Sequence, residues 1–312
     1  MERRQRIWGS LAVGYFFLAS VGAGCLITGL ILDWWWAFPE DGRPPEWLGL
    51  CGLVLAGTGG MLLLAELGQK MRFPMVFLRP RSVMSLGAWA LGAFLLFSFA
   101  YFLAGLVFPG WGGLRMVAGA GGCIAAVVLV VYPGLELGEA RGRPFWQPAG
   151  LVPLWVVSSA VGGVAVGGLV VAALDGPYAA LLSALQAWGL FLSVLQLIFA
   201  AGYVLGMLRS GVREARESAE MLVRGPLKAW FWGGLIFLGH VIPWILLVTP
   251  AAGWAWAFFL VGVLGLRHVV VAAGLSLALP GNRHEYPEEE ELASWAARLE
   301  EAWARQSQTL NL

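Results

Sequence analysis

The sequence predicts an all-α integral membrane protein: eight transmembrane helices arranged as two four-helix bundles, followed by a cytoplasmic amphipathic C-terminal helix. Three observations predict it. Of 312 residues, 59% are apolar and 12% charged, with a mean hydropathy of +0.75; a soluble domain is nearer half apolar and a quarter charged. Eight apolar runs approach the about 20 residues that cross about 30 Å of hydrocarbon. Basic residues gather in alternate loops, the pattern that orients a multi-pass chain. Together these exclude a water-soluble enzyme. A net charge of +1 gives no electrostatic pull toward nucleic acid.

The first run, at roughly 8–32, follows Arg3, Arg4 and Arg6. Gly22-Ala23-Gly24-Cys25 has the look of a lipoprotein cleavage site, but the apolar run continues to Leu32, too long for a signal-peptide core, so it reads as a span. Runs at roughly 47–66, 85–108, 116–137, 150–174, 179–207, 228–249 and 254–279 follow. The transmembrane domain is therefore expected over residues 1–279 and an acidic tail over 280–312. Each run must be helical, because no water in the bilayer core can satisfy a free backbone group. The 43 glycines suit close helix packing, as in Gly163-x-x-x-Gly167. Cys25, Cys51 and Cys123 all fall inside apolar runs without a C-x-x-C pair, so neither a disulfide framework nor a metal site is expected.

Sorting Arg and Lys by side places 17 at the termini and in the second, fourth and sixth loops, against Arg43 and Arg115 opposite. Both termini are then expected in the cytoplasm. The opposite loops carry Asp33, Glu40, Asp41, Glu46 and Asp175, with Trp34, Trp35 and Trp36 as an interfacial aromatic belt. Leu78-Arg79-Pro80 after the second run and Val223-Arg224-Gly225-Pro226 after the sixth each lead into an aromatic helix, which hints at two bundles in parallel repeat.

Ionisable groups inside a membrane are costly and mark function by default. Glu66 closes the second span, Tyr132-Pro133-Gly134 and Glu136 lie near the inner end of the fourth, and Tyr15 sits two turns into the first. Helix rise places Tyr15 and Tyr132 roughly 10 Å below the surface with Glu66 above them, so one pocket could hold all three. Pro133 removes a backbone hydrogen bond and makes room for a flat ligand. A quinone needs a hydrogen-bond donor at each carbonyl and a proton with each electron, which tyrosine and carboxylic acid supply. An interfacial tyrosine and a snorkelling glutamate are the competing reading of the same spacing.

Four stretches then carry a resemblance to a known family. Ala65-Glu66-Leu67-Gly68 through Met71-Arg72-Phe73 to Met84-Ser85-Leu86-Gly87-Ala88-Trp89 is the first. Tyr132-Pro133-Gly134 with Arg143-Pro144-Phe145-Trp146, Ser218-Ala219-Glu220 to Phe231-Trp232-Gly233-Gly234, and Leu266 to Gly274 complete the set. In order and span position they resemble the NrfD/polysulfide-reductase membrane anchor subunits. The resemblance implies a bacterial or archaeal inner-membrane anchor without haem or metal of its own. Such an anchor exchanges electrons between quinone (menaquinone or ubiquinone) and a partner iron–sulfur subunit that serves a molybdopterin-type catalytic subunit. It also implies a quinone pocket of Glu66, Tyr132 and Tyr15. Tyr15 stands where some members place a histidine, and Ala12 where they have a polar side chain.

The basic loops at the quinone end supply docking candidates for a cytoplasmic partner: Arg72, Arg79, Arg81, Arg143, Arg213 and Arg216. In the tail, Leu292, Trp295, Ala296, Leu299 and Trp303 recur at helical spacing on an otherwise acidic segment. Anionic lipid repels such a helix, so Trp295 and Leu299 are read as partner contacts, with a solvated end helix as the alternative. Arg267, near the middle of the eighth span, needs an acid or carbonyl partner, for which Glu136 or Glu139 qualify as a proton-transfer or structural ion pair. Two rivals remain: a small-anion transporter built around Arg267, and a cytochrome with one b-type haem between His240 and His268.

Overall fold

The computed structural model describes residues 8–36, 43–66, 70–78, 82–107, 111–174 and 176–276. Among the described residues eight helices are long and apolar enough to cross a membrane. They are Ser10–Trp35, Pro44–Glu66, Val83–Leu106, Gly112–Glu139, Pro148–Ala173, Ala179–Leu208, Ala229–Leu247 and Ala252–Ala272, numbered here as spans 1 to 8. Two further elements lie between spans: a 3₁₀ segment at Lys70–Leu78 and a short helix at Arg213–Val223. The spanning unit ends at Ser276. The expected C-terminal helix, with Trp295 and Leu299, lies outside the described residues, as do Arg79 and Arg81.

Spans 1 to 4 form a ring in which each packs on the next and the fourth returns to the first. Spans 5 to 8 repeat that connectivity, so the chain folds as two four-helix bundles. Span 1 is mostly buried because it packs on both bundles, most extensively on span 2 in the first and on span 5 in the second. That crossing rests on absent side chains. A Cβ on Gly24 would strike the Ser159 carbonyl and the Gly163 backbone, and one on Gly163 would strike Gly24. Lipid offers helices no hydrophobic driving force for association, so such backbone-to-backbone approach supplies the packing that does.

Span 7 departs from the expected simple helix. Ala229–Val241 winds as a π-helix and Ile242–Leu247 as an α-helix. The His240 ring follows the wider pitch, with Nδ1 2.8 Å from the Leu235 carbonyl five residues earlier. Gly239 meets Gly262 of span 8 so closely that neither position has room for a Cβ. Widened turns of this kind are rare and recur at functional sites.

At the end opposite the basic loops, each span of the first bundle contributes one group to a charge network. Arg115 of span 4 donates from its Nη2 to Asp33 Oδ1 of span 1 (2.8 Å) and from Nη1 to Glu46 Oε1 of span 2 (2.5 Å). Tyr101 of span 3 donates to Asp33 Oδ2 at 3.1 Å, and Arg43 reaches Asp33 Oδ1 at 2.8 Å. Glu46 and Tyr101 are buried. Gly105 leaves the room that the Glu46 side chain fills.

Candidate functional site

Tyr15, Glu66 and Tyr132 come from spans 1, 2 and 4 and line one cavity of about 450 Å³ at the basic end of the first bundle. Its remaining walls are apolar, with Met61, Leu64, Met84, Leu91 and Leu95 contributed by spans 2 and 3. The 3₁₀ segment closes one side through Val76 and Phe77. Ser85 holds that segment in place by donating to the Val76 carbonyl, and Phe77 packs edge-on against Trp89 at 5.1 Å between centroids. An apolar chamber with a few convergent polar groups is the usual form of a small-molecule site.

Inside it the tyrosines act together. Their rings lie 6.3 Å apart between centroids, and both side chains are almost fully buried. The Tyr132 hydroxyl faces both Tyr15 and Glu136, a placement from which it can donate to the carboxylate while accepting from Tyr15. Glu136 is itself buried, and among the described residues its Oε2 has no hydrogen-bond partner. Tyr132 and Glu136 are four residues apart on one helix, which stacks their side chains on one face. That spacing is legible in the sequence, where Glu136 is also one of two candidate partners for Arg267. Gly87 of span 3 was not singled out as a site residue, yet a Cβ there would run into the Tyr132 ring. The glycine thus forms the seat in which that ring lies.

Glu66 serves two purposes. Its Oε1 accepts the Gly9 N–H at 2.6 Å, where a carboxylate suits the positive start of span 1. Its Oε2 is buried and has no hydrogen-bond partner among the described residues. Pro133, buried beside Tyr132, stands within a helix that continues to Glu139.

A family model described as polysulphide reductase, NrfD, matches residues 1–278. The chain belongs to the NrfD family. No curated protein matches it. NrfD proteins are membrane subunits of quinone-interacting oxidoreductase complexes, typically paired with iron–sulfur subunits.

Among the other candidates in this NrfD chain, Arg267 differs from expectation. It is fully buried where spans 1, 5 and 8 meet, and its Nη2 donates to Ser20 Oγ and Ser159 Oγ, each at 3.1 Å, and to the Trp155 carbonyl at 3.4 Å. Its guanidinium also lies 4.2 Å from the Trp155 ring centroid. Among the described residues no carboxylate pairs with it, so the expected contact with Glu136 or Glu139 is replaced by hydroxyls, a carbonyl and a π-face. Span 5 intervenes where the sequence shows only equal depth. Arg267 does not line the cavity of the tyrosines.

The paired-histidine haem is likewise not assembled. His268 packs on Trp230 at 4.6 Å, whereas His240 lies further along span 7 beside Trp244. Among the described residues no three His, Cys, Asp or Glu side chains cluster to hold a metal.

At the basic end the docking candidates divide. Arg143 is half-buried and donates to the Gly274 carbonyl while its guanidinium lies 5.1 Å from the Trp146 ring, so it fastens the fourth loop to the end of span 8. Burial pushes its pKa down from the usual arginine range. Arg213 and Arg216 stand on the exposed side of the short helix; Arg213 pairs with Glu217 at 2.6 Å, and Arg216 donates to the Ser210 carbonyl at 2.9 Å. Arg72 belongs to the 3₁₀ segment.

Proposed function

We propose that this NrfD-family chain is the quinone-reactive subunit of a multi-subunit oxidoreductase. It passes electrons between membrane menaquinone or ubiquinone and an iron–sulfur partner that serves a molybdopterin-type catalytic subunit. One observation carries the reading: two phenols, Tyr15 and Tyr132, and the Glu66 carboxyl converge from three spans on one apolar, membrane-depth cavity, with Glu136 one turn beyond Tyr132 on the same helix. Quinol oxidation releases protons with its electrons, so the ring oxygens need partners that both hydrogen-bond and exchange protons. Tyr132 holds one ring oxygen and relays its proton to Glu136, while Tyr15 keeps the Tyr132 hydroxyl oriented. Glu66 offers its free oxygen to the second ring oxygen. The apolar walls take the ring edges and the start of the isoprenoid tail.

Filling the cavity tests this without touching a polar group. Ala88→Phe and Gly92→Phe project into the chamber, Gly92 from a position with open space around it. Each should weaken binding of a short-chain quinone to the purified chain about tenfold or more, read by quenching of tryptophan fluorescence, with thermal stability retained. Unaltered binding in both filled variants would place the quinone elsewhere.

Both termini and the partner are placed on the cytoplasmic side, with Arg213, Arg216, Arg72, Arg79 and Arg81 facing the partner and Trp295 and Leu299 clamping it. The support is the charge asymmetry between the two ends. A single cysteine at Trp295 should resist impermeant maleimide in intact cells, react in inverted vesicles, and be protected there when the partner is bound. Labelling from outside intact cells would overturn the orientation. Equal labelling with and without the partner would remove the tail from the docking surface.

A further inference from the structure

A second cavity, of about 540 Å³, lies in the seam between the bundles, walled by spans 1 and 4 on one side and 5 and 6 on the other. It begins at mid-depth beside Gly24 and Ser159 and ends at Trp35 and Trp36, away from the basic loops. From Gly24 to Trp35 the helix rises about 16 Å at 1.5 Å per residue. Half of a typical hydrocarbon core is about 15 Å. The cavity therefore has the length of one leaflet.

Its chemistry differs from that of the first cavity. Ile27, Val131, Ala160 and Leu185 are typical of the walls, and among the described residues no carboxyl, phenol or imidazole lines it. The Ser159 hydroxyl is already engaged, donating to the Trp155 carbonyl at 2.8 Å and accepting from Arg267. A quinone ring would find no proton-exchanging partner there. A hydrocarbon chain needs none, and it restores the dispersion contacts that bare walls forgo. Trp35 is largely exposed at the mouth, at the depth where indoles sit among lipid headgroups.

We infer that this seam is a phospholipid site: one acyl chain from the leaflet opposite the basic end lies between the two bundles, with its headgroup level with Trp35 and Trp36. The lipid is then a structural filler between bundles whose direct contact runs mainly through spans 1 and 5. Recognition is of the chain rather than the headgroup, because Arg43 and Arg115 at this end are already paired with Asp33 and Glu46.

The full-length protein can be reconstituted with a phospholipid bearing a diazirine on its acyl chain, extracted, washed in detergent to strip the surrounding lipid, and irradiated. Peptides covering 127–131, 156–164 and 184–192 should carry most of the label. The double variant Ala160→Phe with Ala184→Phe should lose at least about tenfold of it, while quinone binding is retained. Label spread evenly over the lipid-facing helices, or undiminished in the filled variant, would overturn the site. So would mass spectrometric identification of the retained native molecule as an isoprenoid quinone instead of a phospholipid. If the filled variant does not fold, the labelling pattern of the unaltered protein decides alone.

Discussion

Tyr132→Phe and Glu136→Gln should each slow quinol turnover by about 10²–10⁴-fold, the range for a positioned acid or base, with the assembled complex still present in the membrane. Tyr132 stands between Tyr15 and Glu136, so in the proposed proton path losing its hydroxyl parts the one from the other in one step. Phenylalanine keeps the ring in the seat provided by Gly87, which separates loss of the proton path from loss of shape. Glutamine at 136 still accepts a hydrogen bond from Tyr132 but cannot take its proton. Glu66→Gln belongs to the same series: the amide oxygen can still accept the Gly9 N–H, so span 1 stays capped while the proton-exchanging oxygen is gone. Steady-state rates with a water-soluble quinol, normalised to complex recovered in detergent, give the comparison. Kinetics like those of the unaltered protein in Tyr132→Phe and Glu136→Gln would remove that path from the reaction. Gly87→Ala provides a check from outside the polar set, because its methyl group would unseat the Tyr132 ring without altering any titratable group.

The second large effect is on stability. Arg115→Ala should destabilise the first bundle by about 3–5 kcal/mol, the usual cost of leaving buried partners uncompensated. Arg115 makes the close ion pair with each of Asp33 and Glu46, at 2.8 and 2.5 Å, and its side chain is 15% exposed against 12% and 6% for theirs. Without it Arg43 alone faces two carboxylates, and the shared tie among spans 1, 2 and 4 is lost. Unfolding of the purified protein, followed by heat or by denaturing detergent, should show an earlier midpoint. Protein that does fold should keep its affinity for a short-chain quinone, because the tyrosine cavity lies at the opposite end of the same spans. An unchanged midpoint would mean that the headgroup region solvates these charges and that the network is incidental.

Much of this architecture is legible in the sequence because the bilayer leaves the chain few options. A run long enough to cross hydrocarbon must be a helix, so composition alone fixes the number of spans, and loop charge sets the expected orientation. Tyr15, Glu66 and Tyr132 could be grouped in advance because helix rise converts sequence position into depth. Depth is half of a location. Azimuth around the helix is decided by which neighbours pack where, and in lipid that depends on shape rather than on an apolar stripe, since lipid-facing and buried surfaces are equally hydrophobic. Arg267 illustrates the difference: its depth permitted Glu136 or Glu139, but span 5 presents Trp155 and Ser159 to it, and Glu136 turns to Tyr132 on its own helix. The network at the opposite end escaped for a related reason, because Asp33, Glu46 and Arg115 read singly as loop charges and only the closed ring of spans 1 to 4 brings them together. The seat of Tyr132 on Gly87 and the seam between the bundles were settled by close packing of backbones, a matter of which side chains are missing at a crossing. The amino-acid sequence by itself determined the spans, their depths and the polarity of the two ends. The tertiary structure alone decided which groups face one another, because rotation about a helix axis leaves no trace in hydropathy.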